Sequence, residues 1–77
     1  MSTNSGDHAV RTALHIARND ANDRRLHKRA ADEFLRGMCM GQVIIAGNYL
    51  GADPLVVMAA KNEIRFLYHY NQHGNQH

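Results

Sequence analysis

Three histidines near the end of the sequence have the spacing of a metal site. His69, His73 and His77 follow one another at intervals of four residues, and imidazoles at this spacing on one helix face can share a zinc or nickel ion. The surrounding segment, NQHGNQH at 71–77, is polar and contains a glycine, which is typical of a flexible tail. We therefore treat these histidines as candidate ligands only, and we predict neither a bound metal nor a cofactor.

The other reactive side chains lack the neighbours that catalysis requires. Cys39 is the single cysteine, so it cannot form an internal disulfide, and no histidine adjoins it in the apolar run MCM. No glycine-rich loop is followed by the Gly-Lys-Ser or Gly-Lys-Thr of a phosphate-binding loop. The sequence therefore predicts a non-enzymatic protein in which Cys39 is a small buried apolar residue.

A basic cluster is the best candidate for binding nucleic acid. The segment RRLHKR holds four of the nine basic residues of the chain and could contact phosphates. These four are Arg24, Arg25, Lys28 and Arg29. The alternative is that the cluster forms ion pairs with acids four residues away along a solvated helix face, such as Asp20 with Arg24. A net charge of only +2 favours this alternative.

The elements that carry these residues are predicted to be helices. The chain has one proline and no lasting apolar/polar alternation, so the predicted fold class is all-α, with two to three helices in a hairpin or small bundle. The domain is predicted at 7–70, after a disordered N-terminus at 1–6. A chain of 77 residues without a disulfide or zinc staple has a marginal core, so we expect oligomerisation to complete it.

Caps and apolar spacing predict the first two helices. Ser5 or Asp7 is expected to cap the first helix. The segment NDAND slightly favours a break, with Asp20 or Asp23 capping the next helix, over one unbroken helix. From Leu26 onward the apolar residues cover an arc of about 180°, wider than the ~100° of an ordinary surface helix, which predicts a long helix with two neighbours. The arc consists of Leu26, Ala30, Ala31, Phe34, Leu35, Met38, Ile45 and Tyr49.

The last helix is predicted to begin at Pro54, after an Asp53 cap, and to end near Tyr70. The turn before it resembles that of a helix-turn-helix, and LGADP is similar to turns of repressor-like domains. The residues that carry the resemblance are Gly47, Leu50, Gly51, Ala52 and Val57. The resemblance implies a DNA-binding regulator whose last helix enters a groove, with Lys61 and Arg65 as further DNA contacts.

The same helix carries apolar residues where a DNA reader needs polar ones. Both of its flanks are apolar, which favours burial against protein. Together with the second helix it supplies the predicted protein interface, which consists of Leu55, Val56, Ala59, Phe66, Tyr70, Phe34, Met38 and Ile45. We expect the partner to be a second copy of the chain, a larger protein, or both.

The sequence therefore favours a small protein-binding modulator that acts as a homo-oligomer through its apolar helix faces. Its size suits an inhibitor or adaptor of the kind that phages and mobile elements encode. Two alternatives stay open: a helix-turn-helix regulator, and a structural subunit of a larger assembly. The first residues do not resemble a secretory signal, and no uninterrupted apolar run reaches the ~20 residues of a membrane span. We therefore expect a cytoplasmic protein that does not enter a membrane.

Overall fold

The computed structural model describes residues 4–75, and the side chains of residues 4–68. Within these limits the all-α prediction is confirmed, because three helices pack against one another and no strand is present. The helices are α1 (Ser5–His27), α2 (Glu33–Tyr49) and α3 (Pro54–Asn75). In this part of the chain, no helix combines the length and the apolar character needed to cross a membrane.

α1 is one unbroken helix, so the predicted interruption in NDAND is wrong. Neither Asp20 nor Asp23 caps a helix, because the Asp20 carboxylate is buried and bonds to other side chains. Asn4, rather than Ser5 or Asp7, caps α1: its Oδ1 accepts a hydrogen bond from the Asp7 N–H at 2.7 Å. Residues 5 and 6, assigned to the N-terminus in the sequence-based prediction, therefore lie in α1.

α2 begins later than predicted, at Glu33 rather than Leu26. The chain leaves α1 at Lys28, which adopts the left-handed conformation with φ 54° and ψ 40°. Asp32 then caps α2, since its Oδ1 accepts hydrogen bonds from the backbone N–H groups of Phe34 at 3.0 Å and of Leu35 at 3.3 Å. Five residues between the helices thus form a short connection that the sequence pattern did not indicate.

The turn between α2 and α3 agrees with the prediction. Gly51 has a φ of 76°, a conformation that favours glycine. The Asp53 Oδ1 accepts a hydrogen bond from the Leu55 N–H at 2.8 Å, so Asp53 caps α3, which starts at Pro54 as expected. α3 continues to Asn75, so the predicted end near Tyr70 is wrong. Gly47 packs on the following helix, because a Cβ added there would lie 3.1 Å from a methyl carbon of Val57.

α1 and α3 run parallel, and α2 runs antiparallel to both. At one end of the bundle, the Asp7 Oδ1 accepts a hydrogen bond from the Asp53 N–H at 3.1 Å. At the same end a Cβ on Gly6 would lie only 2.3 Å from the backbone nitrogen of Ala52, so α1 touches the α2–α3 turn directly. At the other end, Tyr68 of α3 meets the last turns of α1. The result is a bundle 43 Å long.

Alanine makes up half of the buried apolar core of this bundle. The buried apolar residues are Val10, Ala13, Ala17, Cys39, Val43, Ala46, Ala52, Ala60, Ile64 and Tyr68. The predicted burial of Cys39 is confirmed. The apolar arc predicted for the second helix does not form the buried side of α2, so this prediction is wrong. α2 instead faces the core with Cys39, Val43 and Ala46, and Met40 packs partly against it, whereas Phe34, Met38, Ile45 and Tyr49 are exposed. The small side chains on the inner face of α2 allow the neighbouring helices to approach it closely.

Candidate protein-interaction surface

The first exposed apolar surface is the α2 outer face, formed by Phe34, Met38, Gly41, Ile45 and Tyr49. Steps of three and four residues place all five on one stripe of the helix. The four large side chains are exposed by 77%, 40%, 52% and 80% respectively. No charged residue occurs between positions 37 and 50. The α2 outer face is therefore apolar and uncharged along almost its whole length.

Two glycines shape this surface. A Cβ added to Gly37 or Gly41 would meet no atom within 4 Å, so packing inside the chain requires neither glycine. Each costs up to about 1 kcal/mol of helix stability relative to alanine. Gly41 lies within the stripe, between Met38 and Ile45. It therefore leaves a depression in the middle of the α2 outer face.

The second exposed apolar surface is the α3 outer face, formed by Leu55, Ala59 and Phe66. These residues share one side of the helix, and both large side chains are more than half exposed. Val56 of the predicted interface is exposed beside them. The described members of the predicted interface thus all lie at the surface, while the side chain of Tyr70 lies outside the description.

A cleft of about 530 Å³ lies beside the α2–α3 turn. Gly47, Ala52, Val57 and Met58 contribute its apolar part. The side towards the middle of α3 is polar and basic, and it consists of Lys61, Asn62 and Arg65. The Arg65 guanidinium donates a hydrogen bond to the Asn62 Oδ1 at 3.3 Å. The cleft thus combines an apolar floor with two cations at its rim.

The basic cluster, considered as an alternative phosphate-binding site, does not form one cationic patch. Arg24 is buried, so its assignment as a phosphate contact is wrong. The predicted ion pair with Asp20 explains its position, with Arg24 Nε 3.0 Å from the Asp20 Oδ2. Arg29 pairs with Asp23 and Asp20, and hydrogen bonding to these acids raises the pKa of Arg29. Arg25 and Lys28 are exposed, and Arg25 donates to the Asn22 Oδ1 at 2.6 Å.

A buried polar network joins α1 to α3. Asp20 accepts hydrogen bonds from Arg24 Nε and from the Tyr68 hydroxyl, both at 3.0 Å, and from Arg29 at 3.3 Å. The Arg24 guanidinium also lies over the Tyr68 ring, 4.5 Å from its centroid. Its Nη1 and Nη2 atoms are buried and have no hydrogen-bond partner in the part of the chain that is described. The spacing of Asp20 and Arg24 was visible in the sequence, but nothing local indicated Tyr68.

The network does not provide a reactive group at neutral pH. Burial, together with the hydrogen bond to Asp20, raises the pKa of Tyr68 well above its ordinary value. Burial and the nearby Asp20 charge also raise the pKa of the Cys39 thiol. Both groups therefore stay protonated, and the arrangement resembles a structural cluster rather than an activated nucleophile.

Among the described residues, no group of three or more His, Cys, Asp or Glu side chains could hold a metal ion. The candidate ligands His69, His73 and His77 lie outside the described side chains, so the structure does not test them. No protein-family model matches the chain, and comparisons with curated proteins and with solved structures find no similar protein. Function must therefore be inferred from the surfaces of the bundle.

Proposed function

We propose that this protein is a non-enzymatic protein-binding modulator that works as a homo-oligomer and contacts a larger protein through its apolar helix faces. The observation that carries the proposal is the number of large apolar side chains at the surface, on a bundle whose buried apolar core is half alanine. The four large side chains of the α2 outer face together expose an apolar area of about 500 Å², taking ~200 Å² for a fully exposed large side chain. Monomeric soluble proteins rarely expose larger contiguous apolar patches, and patches of about this size are often functional.

The two faces suit different partners. The α2 outer face carries no charge, so a partner surface there must be apolar. The α3 outer face lies on the helix that also contributes Lys61 and Arg65 to the cleft. An apolar surface with Arg65 at its margin suits an amphipathic helix that has acidic residues along its edge. Such a helix, belonging to a larger protein, is the partner we propose for α3.

A pull-down from a lysate of the encoding organism tests this function. The bait is the full chain, compared with the Leu55→Asp/Phe66→Asp double variant and with Thr12→Asp, a control on the exposed side of α1. We expect one protein to be retained through a high-salt wash by the wild type and the control, and to be lost from the double variant. Retention by all three baits, or by none, would contradict the proposal. Elution by salt of nucleic acid rather than of a protein would indicate a nucleic-acid partner.

The helix-turn-helix regulator is the second candidate, and one observation favours it. The contact of Gly47 with Val57 and the left-handed Gly51 give the α2–α3 turn the local features of that motif. However, Leu55, Val56 and Met58 occupy the exposed first turns of α3, where base-reading side chains would be needed. Fluorescence anisotropy should compare random DNA with DNA upstream of the gene at physiological salt. We expect discrimination below the ~10³-fold typical of operators, and a larger value would favour the regulator.

A structural subunit of a larger assembly is the third candidate, since it would use the same apolar faces. The pull-down separates this case from a modulator by stoichiometry. A subunit would be recovered with several proteins in fixed ratios, whereas a modulator would be recovered with a single partner.

A further inference from the structure

We propose that the α2 outer face binds the same face of a second copy, in an antiparallel pair in which Met38 of one copy lies over Gly41 of the other. The proposal deepens the protein-binding function above by naming the partner of one of its two faces. It leaves the α3 outer face for a different protein. A monomeric wild type would therefore remove the homo-oligomer, while contact with the larger protein is tested separately by the pull-down with the α3 variant.

The spacing of the α2 outer face fits such a pair. Phe34, Met38, Gly41 and Ile45 follow one another in steps of four, three and four, which is the repeat that two packed helices share. In a two-fold pair each contact occurs twice. Placing Met38 over Gly41 of the second copy fills the depression that the glycine leaves, and it brings Phe34 opposite Ile45. A parallel pair would instead set Gly41 against Gly41 and leave a void.

The distribution of charge also favours the antiparallel direction. Asp32 and Glu33 lie at the start of α2, and positions 37–50 carry no charge. A parallel pair would bring the Asp32 carboxylates and the Glu33–Arg36 ion pairs of both copies together. An antiparallel pair separates these charged helix starts and sets the two helix dipoles in opposite directions.

The available area is sufficient for a dimer. About 500 Å² of apolar side chain from each copy makes about 1,000 Å² before any polar rim is counted, which reaches the lower bound of specific interfaces. Gly37 and Gly41 have open space in front of them. They therefore allow a second helix to come close, which accounts for two glycines that the isolated chain does not need.

Sedimentation velocity over a wide concentration range tests the proposal with two variants. Gly41→Glu is expected to weaken self-association at least about tenfold, because it would bury an unpaired charge. The same change should raise the melting temperature of the dilute monomer by several degrees, since glutamate is the better helix former and meets no neighbour. This rise excludes misfolding as the reason for lost association. Ala59→Glu, the matched control on the α3 outer face, is expected to leave association unchanged.

Disulfide trapping tests the direction of the pair. In a Cys39→Ala background, chains carrying Phe34→Cys are mixed with chains carrying Ile45→Cys and oxidised. The antiparallel pair predicts mixed disulfides, and it predicts few between two copies of Phe34→Cys. The proposal is overturned if the wild type stays monomeric at every concentration, if Gly41→Glu associates as well as the wild type, or if the 34–34 product dominates. Loss of association in Ala59→Glu alone would move the self-interface to α3 and overturn it too.

Discussion

The buried network of Asp20, Arg24 and Tyr68 makes a quantitative prediction about stability. Removal of Asp20 and removal of Arg24 are expected to have very different effects, although the two residues form one ion pair. Asp20→Ala would leave a buried guanidinium without its carboxylate and the Tyr68 hydroxyl without its acceptor. Arg24→Met would remove the buried cation, and Asp20 would keep Tyr68 and Arg29 as donors.

The expected magnitudes follow from these contacts. Breaking a buried ion pair so that one charge is left uncompensated costs about 3–5 kcal/mol, which applies to Asp20→Ala. Arg24→Met loses one charged hydrogen bond, worth about 1.5–3 kcal/mol, but it also removes two buried nitrogens without partners, which cost about 1–3 kcal/mol. The net cost of Arg24→Met should therefore stay below about 2 kcal/mol, including the lost contact with the Tyr68 ring.

Urea unfolding followed by circular dichroism at 222 nm measures both free energies of unfolding. The protein concentration should be low and constant, so that self-association does not contribute. A chain of this size is stable by only about 4–11 kcal/mol. If Asp20→Ala unfolds outright, Asp20→Asn, which keeps the shape of the side chain, provides the comparison. Equal losses for Arg24→Met and Asp20→Ala, or a larger loss for Arg24→Met, would refute the reasoning.

Three further predictions concern single residues. Cys39, 1% exposed and with a raised pKa, should react with a thiol reagent at pH 8 only as fast as the whole protein unfolds, and rapid labelling of the native state would contradict its burial. Because folding raises the pKa of Tyr68, the protonated Tyr68 should stabilise the fold fully below about pH 10, where an unfolded tyrosine titrates, and less as the pH rises above that value. Between pH 8.5 and 11, the urea midpoint should fall more steeply with pH for the wild type than for Tyr68→Phe. Equal slopes would exclude Tyr68 as the cause of the pH dependence. Gly6→Ala should lose about 1–3 kcal/mol because its Cβ would collide with Ala52, whereas Gly41→Ala should gain up to about 1 kcal/mol in the dilute monomer, and the same sign for both changes in urea unfolding would contradict the packing described.

Features that depend on neighbouring residues in the chain could be predicted from the sequence. Gly51, Asp53 and Pro54 supply a left-handed turn, a helix cap and a first helical residue, and the structure confirms each of them. The all-α class followed in the same way from the spacing of apolar residues. These predictions are correct because each turn or cap is determined by residues within a few positions of it in the sequence.

Features that depend on distant residues could not be predicted. NDAND prefers caps and turns by itself, but Asp20 stays in the middle of α1 because Tyr68, 48 residues away, bonds to it. The orientation of α2 was missed for a different reason. Apolar spacing indicates which residues share a face, but it does not show whether the large or the small ones turn inward, and here close helix packing selects Cys39, Val43 and Ala46. The predicted interface nevertheless included Phe34, Met38 and Ile45, and the structure places all three side chains at the surface.

Because α1 and α3 run parallel, the contacts that close the bundle join residues far apart in the chain. Arg18 and Glu63, bonded at 2.8 Å, are separated by 45 residues. Contacts at this separation slow folding relative to bundles held together mainly by local contacts. Asp20 and Arg24 can pair early, within an isolated α1, but they lose their water only when Tyr68 docks. The desolvation of this pair therefore belongs to a late stage of folding, and substitutions in it are expected to change the unfolding rate more than the folding rate.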